Sequence, residues 1–288
     1  MMLVELILTS KHMLFLQPHH ITDLYCFVDD MLPKEEKPLG GRPSVLSDSE
    51  LVTILLWNAL VAKQQLMKDI HVWIQVEHEK DFPRIPSYNA FLDHAHRLLP
   101  VFLQLLNGLL CTKESLRFMD STMIEVCTLA RADFHRVAKS VARFGKNHQG
   151  WHYGFKLHAS VDAKGRLCQI LFSPANMHDA QGSTYLVNGH TRVAVGDQGY
   201  NARVMKTILF HKYGVIILTP PHFKQRRQLM TPFQHRLLRF RPKIESVFDY
   251  LKQHLHLQSS FPRSIRGYFV HYARVLLSYQ IMALGRAG

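Results

Sequence analysis

The chain has 288 residues, 47 % of them hydrophobic and 20 % charged, with 35 Lys+Arg against 22 Asp+Glu and a formal net charge of +13. That length and apolar content suit one large cored domain or two smaller ones and exclude an intrinsically disordered chain. No apolar run approaches the ~18 residues of a membrane span. The opening MMLVELILTS is interrupted by Glu5 and lacks a signal peptide's basic start, and four scattered cysteines without a CxxC pair argue against a zinc ribbon or a disulfide framework.

Residues 1–112 read as a helical N-terminal region. Apolar periodicity predicts helices over 21–32, from the Ser47-Asp48-Ser49-Glu50 capping box to about residue 62, over 69–77, and over 87–99 with Ser87 as N-cap. Between the first two, Gly40-Gly41-Arg42-Pro43 can lay Arg42 in a narrow minor groove or serve as a plain linker. Short helices with polar turns suit a helix-turn-helix-like DNA-binding module, and equally any small bundle.

From residue 113 to 288 the pattern is mixed α/β. Residues 116–120 read as a strand ending in an acid, 151–161 and 167–172 as a hairpin around Asp162-Ala163-Lys164-Gly165, and 178–188 as a helix. A strand over 192–195 runs into Gly196-Asp197, a helix covers 201–213, and an apolar strand covers 215–218. Thr231-Pro232 has N-cap and N1 chemistry and opens a long helical region to about residue 256, followed by a helix over 265–283. This order indicates a central sheet with helices packed on it.

Charge is divided unevenly. Residues 1–117 hold 11 basic and 14 acidic side chains, whereas 118–288 hold 24 basic and only 8 acidic ones. A half this basic points to a polyanionic partner, most simply nucleic acid. Its eight acids therefore matter individually. Asp162 starts a hairpin turn and Asp179 a helix, but Asp120 and Asp197 close strands, where side chains converge. Two strand-end acids with a third from a helix hold hard cations through oxygen, and such a pair of ions serves phosphodiester chemistry. Both acids capping turns is the plainer alternative.

The third acid comes from the segment Arg241 to Lys252. At about 100° per residue, Arg241, Asp249 and Lys252 fall within about 40° of Glu245 on one helical face, while Ile244, Val247, Phe248, Leu251 and Leu255 form a continuous apolar stripe. An ordinary ion-pair ladder has the same look. Pro242 either restarts the helix at N1 or bends it.

These residues resemble a family. Asp120-Ser121, the run Gly150-Trp151-His152-Tyr153-Gly154-Phe155-Lys156-Leu157-His158, Asn176 with Asp179, Gly196-Asp197-Gln198-Gly199-Tyr200, and the R-(3)-E-(6)-K spacing of Arg241, Glu245 and Lys252 follow in the order of a DDE-type insertion-sequence transposase, most closely the IS982 family. The resemblance covers about residues 20–280. It departs at Leu238, where the wider signature has tyrosine, and at Gln198, where a basic residue is common. It implies an RNase H-like core in which Asp120, Asp197 and Glu245 bind two Mg²⁺ (or Mn²⁺) ions. It further implies double-stranded DNA, both element ends and target, as partner, more than one copy when ends are paired, no membrane, and a bacterial, nucleoid-associated location in the cytoplasm.

The remaining basic residues fit that expectation. Lys224, Arg226 and Arg227, with Arg241 and Lys252, suit phosphate contact, which positions DNA without reading its sequence. Lys156 and His158 share a strand face and flank the expected site, while Trp151, Tyr153 and Phe155 on the other face read as core. Two alternatives stand beside an active transposase. One is a catalytically decayed or domesticated DNA-binding protein. The other is a single-strand nuclease using His254-Leu255-His256 with Tyr268 or Tyr272, although that histidine pair belongs on a strand and here extends a helix.

Overall fold

The computed structural model describes residues 20–33, 44–221 and 230–286. Arg42, Lys224, Arg226 and Arg227 lie outside the described residues. In chain order the elements are α1 (Ile21–Met31), α2 (Asp48–Leu60), α3 (Met67–Glu77), α4 (Tyr88–Arg97), α5 (Leu99–Leu109), β1 (Leu116–Glu125), β2 (Arg143–Asn147), β3 (Gly150–Val161), β4 (Leu167–Pro174), α6 (Asp179–Leu186), β5 (Val193–Val195), α7 (Arg203–Tyr213), β6 (Ile216–Leu218), α8 (Pro232–Arg239), α9 (Pro242–Asp249), a π turn (Tyr250–His254) and α10 (Ile265–Gly285). They divide into two compact units, Met1–Leu109 with Gln253–Gly288, and Leu110–Lys252. No helix among the described residues is long and apolar enough to cross a membrane.

The first unit is helical. The Ser47 hydroxyl accepts from the Glu50 N–H at 3.1 Å while the Glu50 carboxylate accepts from the Ser47 N–H at 2.6 Å, so the expected capping box opens α2. The last helix, α10, packs on α5, α2 and α4. Sequence grouped this helix with the sheet-bearing half, but residues 270–281 are buried without a break. A helix buried on every face needs neighbours all round, and the N-terminal helices supply them.

The second unit holds a six-stranded mixed sheet in the order β2-β3-β1-β5-β6, with β4 also paired to β3. β3 runs antiparallel to β1, with Asp120 opposite Ala159, and to β4, with Leu157 opposite Phe172. β5 joins β1 in parallel, Phe118 opposite Val195, and β6 joins β5 the same way. Four antiparallel strands, β2, β3, β4 and β1, leading to two parallel ones give a mixed α/β sheet of RNase H-like order. The short half-exposed β2 was not foreseen. Gly154 lies where β1, β2 and β3 meet, paired with both Glu125 and Arg143. A side chain there would run into the Ile124 carbonyl.

Two interactions fix the sheet around the candidate site. Arg117, fully buried on β1, donates to the carbonyls of Glu114, Thr112 and Leu186 and to the side chains of Gln169 and Asn188, so it ties the end of α6 to β1. Behind it Met119, Leu186, Val187, Ala194, Tyr200, Leu209, Val215 and Ile217 form one buried cluster. Asp162 holds the hairpin turn as expected, accepting from the Lys164 and Arg166 N–H groups at 2.9 Å each.

Candidate active site

β1 does not end at Asp120, as the sequence suggested. It continues through Ser121, Thr122, Met123 and Ile124 to Glu125, which places Asp120 mid-strand. Its relation to Asp197 follows from register. The parallel pairing of β1 with β5 ends at Phe118 opposite Val195. Asp120 comes two residues later on β1 and shares the face of Phe118, while Asp197 follows the end of β5 by two residues, near enough for its charge to act on Asp120. Asp197 also caps the turn Gln198–Tyr200, its Oδ1 accepting from the Gly199 N–H at 2.9 Å.

Glu245 arrives from α9, which packs on β1. Pro242 sits at N1 of α9, so the chain restarts there, and α8 ends separately at Arg239. The expected stripe of Ile244, Val247, Phe248, Leu251 and Leu255 is buried, which leaves Glu245 on the open face. Arg241 lies between the acids. Its Nη2 is 2.7 Å from Glu245 Oε1 and 3.6 Å from Asp120 Oδ2, and its Nε is buried without an acceptor.

The acids disturb one another. Burial first, then the charges of Asp197 and Asp179, push the Asp120 carboxyl up to about 6, against the Ser121 N–H and Arg241, which favour its ionised form. Asp197 is raised by burial and by Asp179, with Arg241 opposing. Tyr200, buried beneath them, is raised well above its ordinary value by burial and by the charges of Asp179, Asp120 and Asp197, and its hydroxyl has no partner.

Asp179 belongs to this neighbourhood, although sequence spacing marked it only as a helix-start acid. Its Oδ1 accepts from Ser121 Oγ at 2.6 Å and from Lys156 Nζ at 3.2 Å, and Lys156 also donates to the Met177 carbonyl at 2.8 Å. Ser121 alternates with Asp120 along β1, so Asp179 approaches from the opposite face. Gly199 is tightly placed here: a Cβ would come within 3.0 Å of Asp197 Oδ1 and 3.1 Å of Asp179 Oδ2. His158 lies 3.9 Å from Asp179, but burial lowers it to about 4, so the ring is neutral near pH 7 and this is no ion pair. The signal for Asp179 was its pairing with Asn176 in the family resemblance.

Other expected residues lie elsewhere. Lys252 falls in the π turn that follows α9, the helix that carries Glu245. Burial lowers its ammonium, and the charges that oppose this are those of Glu125 and Asp249. Trp151, expected in the core, is 56 % exposed, with Lys146 Nζ 5.7 Å above its ring, while Tyr153 and Phe155 are buried. Tyr268 and Tyr272 are completely buried in α10.

Among the described residues no group of three His, Cys, Asp or Glu side chains is close enough to cage a metal ion as it stands. The donors nevertheless suit a hard cation in type. They are carboxylate oxygens, two of them half-buried with raised pKa values, and Arg241 already supplies positive charge between Asp120 and Glu245.

An RNase H-like mixed sheet that carries Asp120 within β1 and Asp197 just past the adjoining β5 defines the class. Residues 110–265, more than half of the chain, match the family model described as a transposase DDE domain. The chain belongs to this family of DDE transposases, whose chemistry is metal-dependent and whose substrate is DNA. No curated protein and no solved structure matches it.

Proposed function

We propose that the chain is the transposase of a bacterial insertion sequence of the IS982 kind, which cleaves the ends of its element and joins the freed 3′-OH to target DNA. The observation that carries this reading is that the charge of Asp197, two residues past the Phe118–Val195 pair, acts on Asp120, with Arg241 joining Asp120 to Glu245. Asp120, Asp197 and Glu245 would hold a pair of Mg²⁺ or Mn²⁺ ions, which when bound supply charge neutralisation at the attacking and leaving oxygens of in-line phosphoryl transfer.

The chain's own groups do the rest. Arg241 keeps a guanidinium between the helix acid and the strand acid and offers its free Nε to a phosphate oxygen. Asp179 locks Ser121 and Lys156 against the far face of β1, which fixes the strand beneath Asp120. Lys224, Arg226, Arg227 and Lys252 contact the DNA backbone, and Arg42 enters a narrow minor groove. Pairing two element ends calls for more than one copy, and work on chromosomal DNA places the protein at the nucleoid in the cytoplasm.

The test uses duplex DNA taken from the flanks of the gene, where inverted repeats mark the substrate. With Mg²⁺ the protein nicks at the repeat boundary and leaves a free 3′-OH, and EDTA abolishes nicking. Binding without any nicking would instead support a decayed DNA-binding protein, and a covalent protein–DNA adduct would support tyrosine chemistry.

A further inference from the structure

The helical unit contains a cavity of about 190 Å³ with walls from the start of α3, from α4 and from α10. That is below the ~300 Å³ at which drug-sized pockets begin, so its capacity is a single ring system. Tyr88 and Phe261 bring aromatic rings to it, and among the described residues no acid lines it. Lys68 and Arg263 are exposed at its rim, while His271 and Arg274 are buried on its inner side.

Arg274 is the unusual member. It is 2 % exposed. Its Nη2 donates to the Gln64 carbonyl at 3.0 Å and to His271 Nδ1 at 3.3 Å, but Nε and Nη1 have no acceptor. His271 in turn gives its Nε2–H to the His256 carbonyl at 2.9 Å, so the ring is neutral and cannot act as a counter-charge. Burial alone lowers the guanidinium to about 10, with no carboxylate opposing. A buried cation with unfilled donors is strongly unfavourable unless something answers it.

We propose that this cavity is a pocket for one nucleotide. The base enters the apolar space beside Tyr88 and Phe261, its ring acceptors meet the free donors of Arg274, and its phosphate lies at the rim with Lys68 and Arg263. Aromatic walls accept the face of any base, and the O6 and N7 acceptors of guanine suit a guanidinium best. An aliphatic carboxylate would answer Arg274 but leave the aromatic walls and the two rim cations without a role. The nucleotide is either free in solution or unstacked from a DNA strand, and the second source rests on the transposase reading above.

The test is calorimetric titration of the full chain, without metal, with each of the four deoxynucleoside 5′-monophosphates and with inorganic phosphate. A parallel arm uses a single-stranded oligonucleotide carrying 2-aminopurine, whose emission changes when the base leaves its stack. Saturable binding is expected, strongest for dGMP, weakened at least 10-fold by Arg274→Met and by the surface pair Lys68→Ala with Arg263→Ala. The surface pair and Phe261→Ala keep the test alive if Arg274→Met does not fold. Binding of the monophosphates with a 2-aminopurine response supports a strand source, and binding without that response supports a free one. No binding by any monophosphate, undiminished binding in the folded variants, or displacement by inorganic phosphate as effective as by dGMP overturns the pocket. DNA nicking at Asp120 and Asp197 is scored separately. Lost nucleotide binding with nicking intact overturns only the pocket, and lost nicking with nucleotide binding intact overturns only the transposase reading.

Discussion

Asp120→Asn should stabilise the metal-free protein at alkaline pH. The Asp120 carboxyl has moved from its ordinary 3.8 up to about 6 on folding, through burial and the charges of Asp197 and Asp179. A raised carboxyl pKa means that the folded state holds its proton more tightly than the unfolded chain does. The associated stability is fully present below pH 3.8 and is lost as pH rises through about 6. Above that, keeping the group ionised in place costs about 3 kcal/mol. The amide has the shape of the carboxyl and never carries the charge. At roughly 2–4 °C per kcal/mol for a unit of this size, the variant should melt up to ~6–12 °C above wild type at pH 8. Near pH 4 the two should melt alike. Thermal unfolding in EDTA by circular dichroism across this range reads the difference directly. A variant no more stable than wild type at pH 8, or a gap that does not change with pH, would refute the electrostatic account of the site.

Asp197→Asn should abolish nicking while DNA affinity by gel shift stays at or above wild type, because removing negative charge does not weaken phosphate binding; persistent Mg²⁺-dependent nicking would remove Asp197 from the metal set. Glu245→Gln should likewise be inactive, whereas Asp249→Asn on the same helix should stay active and lose at most ~1 kcal/mol in urea unfolding; equal loss of activity in two folded variants would break the distinction. Changing Arg226 and Arg227 together to Ala should weaken all DNA sequences alike and lower the slope of log affinity against log salt by up to about two, and an unchanged slope would mean these arginines do not touch phosphate. Gly154→Ala should lower stability by about 1–3 kcal/mol, since a methyl group meets the Ile124 carbonyl; a neutral result would mean the three-strand junction yields more readily than its spacing suggests.

The elements that carry Asp197 and Glu245 were legible because local pattern marked them. Asp197 followed a β-branched run and a glycine, and Glu245 sat a fixed phase from an apolar stripe that the structure buries. Pro242 announced its own break. What escaped depended on distant partners. The polar β2 pairs only because β3 lies beside it. Asp120 seemed to end a strand because its acid looked like punctuation, yet β3 holds the next five residues in register. The hydrogen bonds of Asp179 with Ser121 and Lys156 span 58 and 23 residues, beyond any periodicity. The π turn that holds Lys252 interrupts the regular winding from which its phase was read. The place of α10 was set by the helices that cover it, which a uniformly apolar segment does not name.

Three acids from three elements sharing a metal would leave a footprint that can be mapped on the chain itself. With Fe²⁺ replacing Mg²⁺, ascorbate and peroxide generate hydroxyl radicals that cut the backbone next to a bound ion. Cuts beside Asp120, Asp197 and Glu245 together, suppressed by excess Mg²⁺ and lost in Asp197→Asn, are the predicted result. Cuts confined to other segments, or cuts at these three positions that persist in Asp197→Asn, would contradict the shared site.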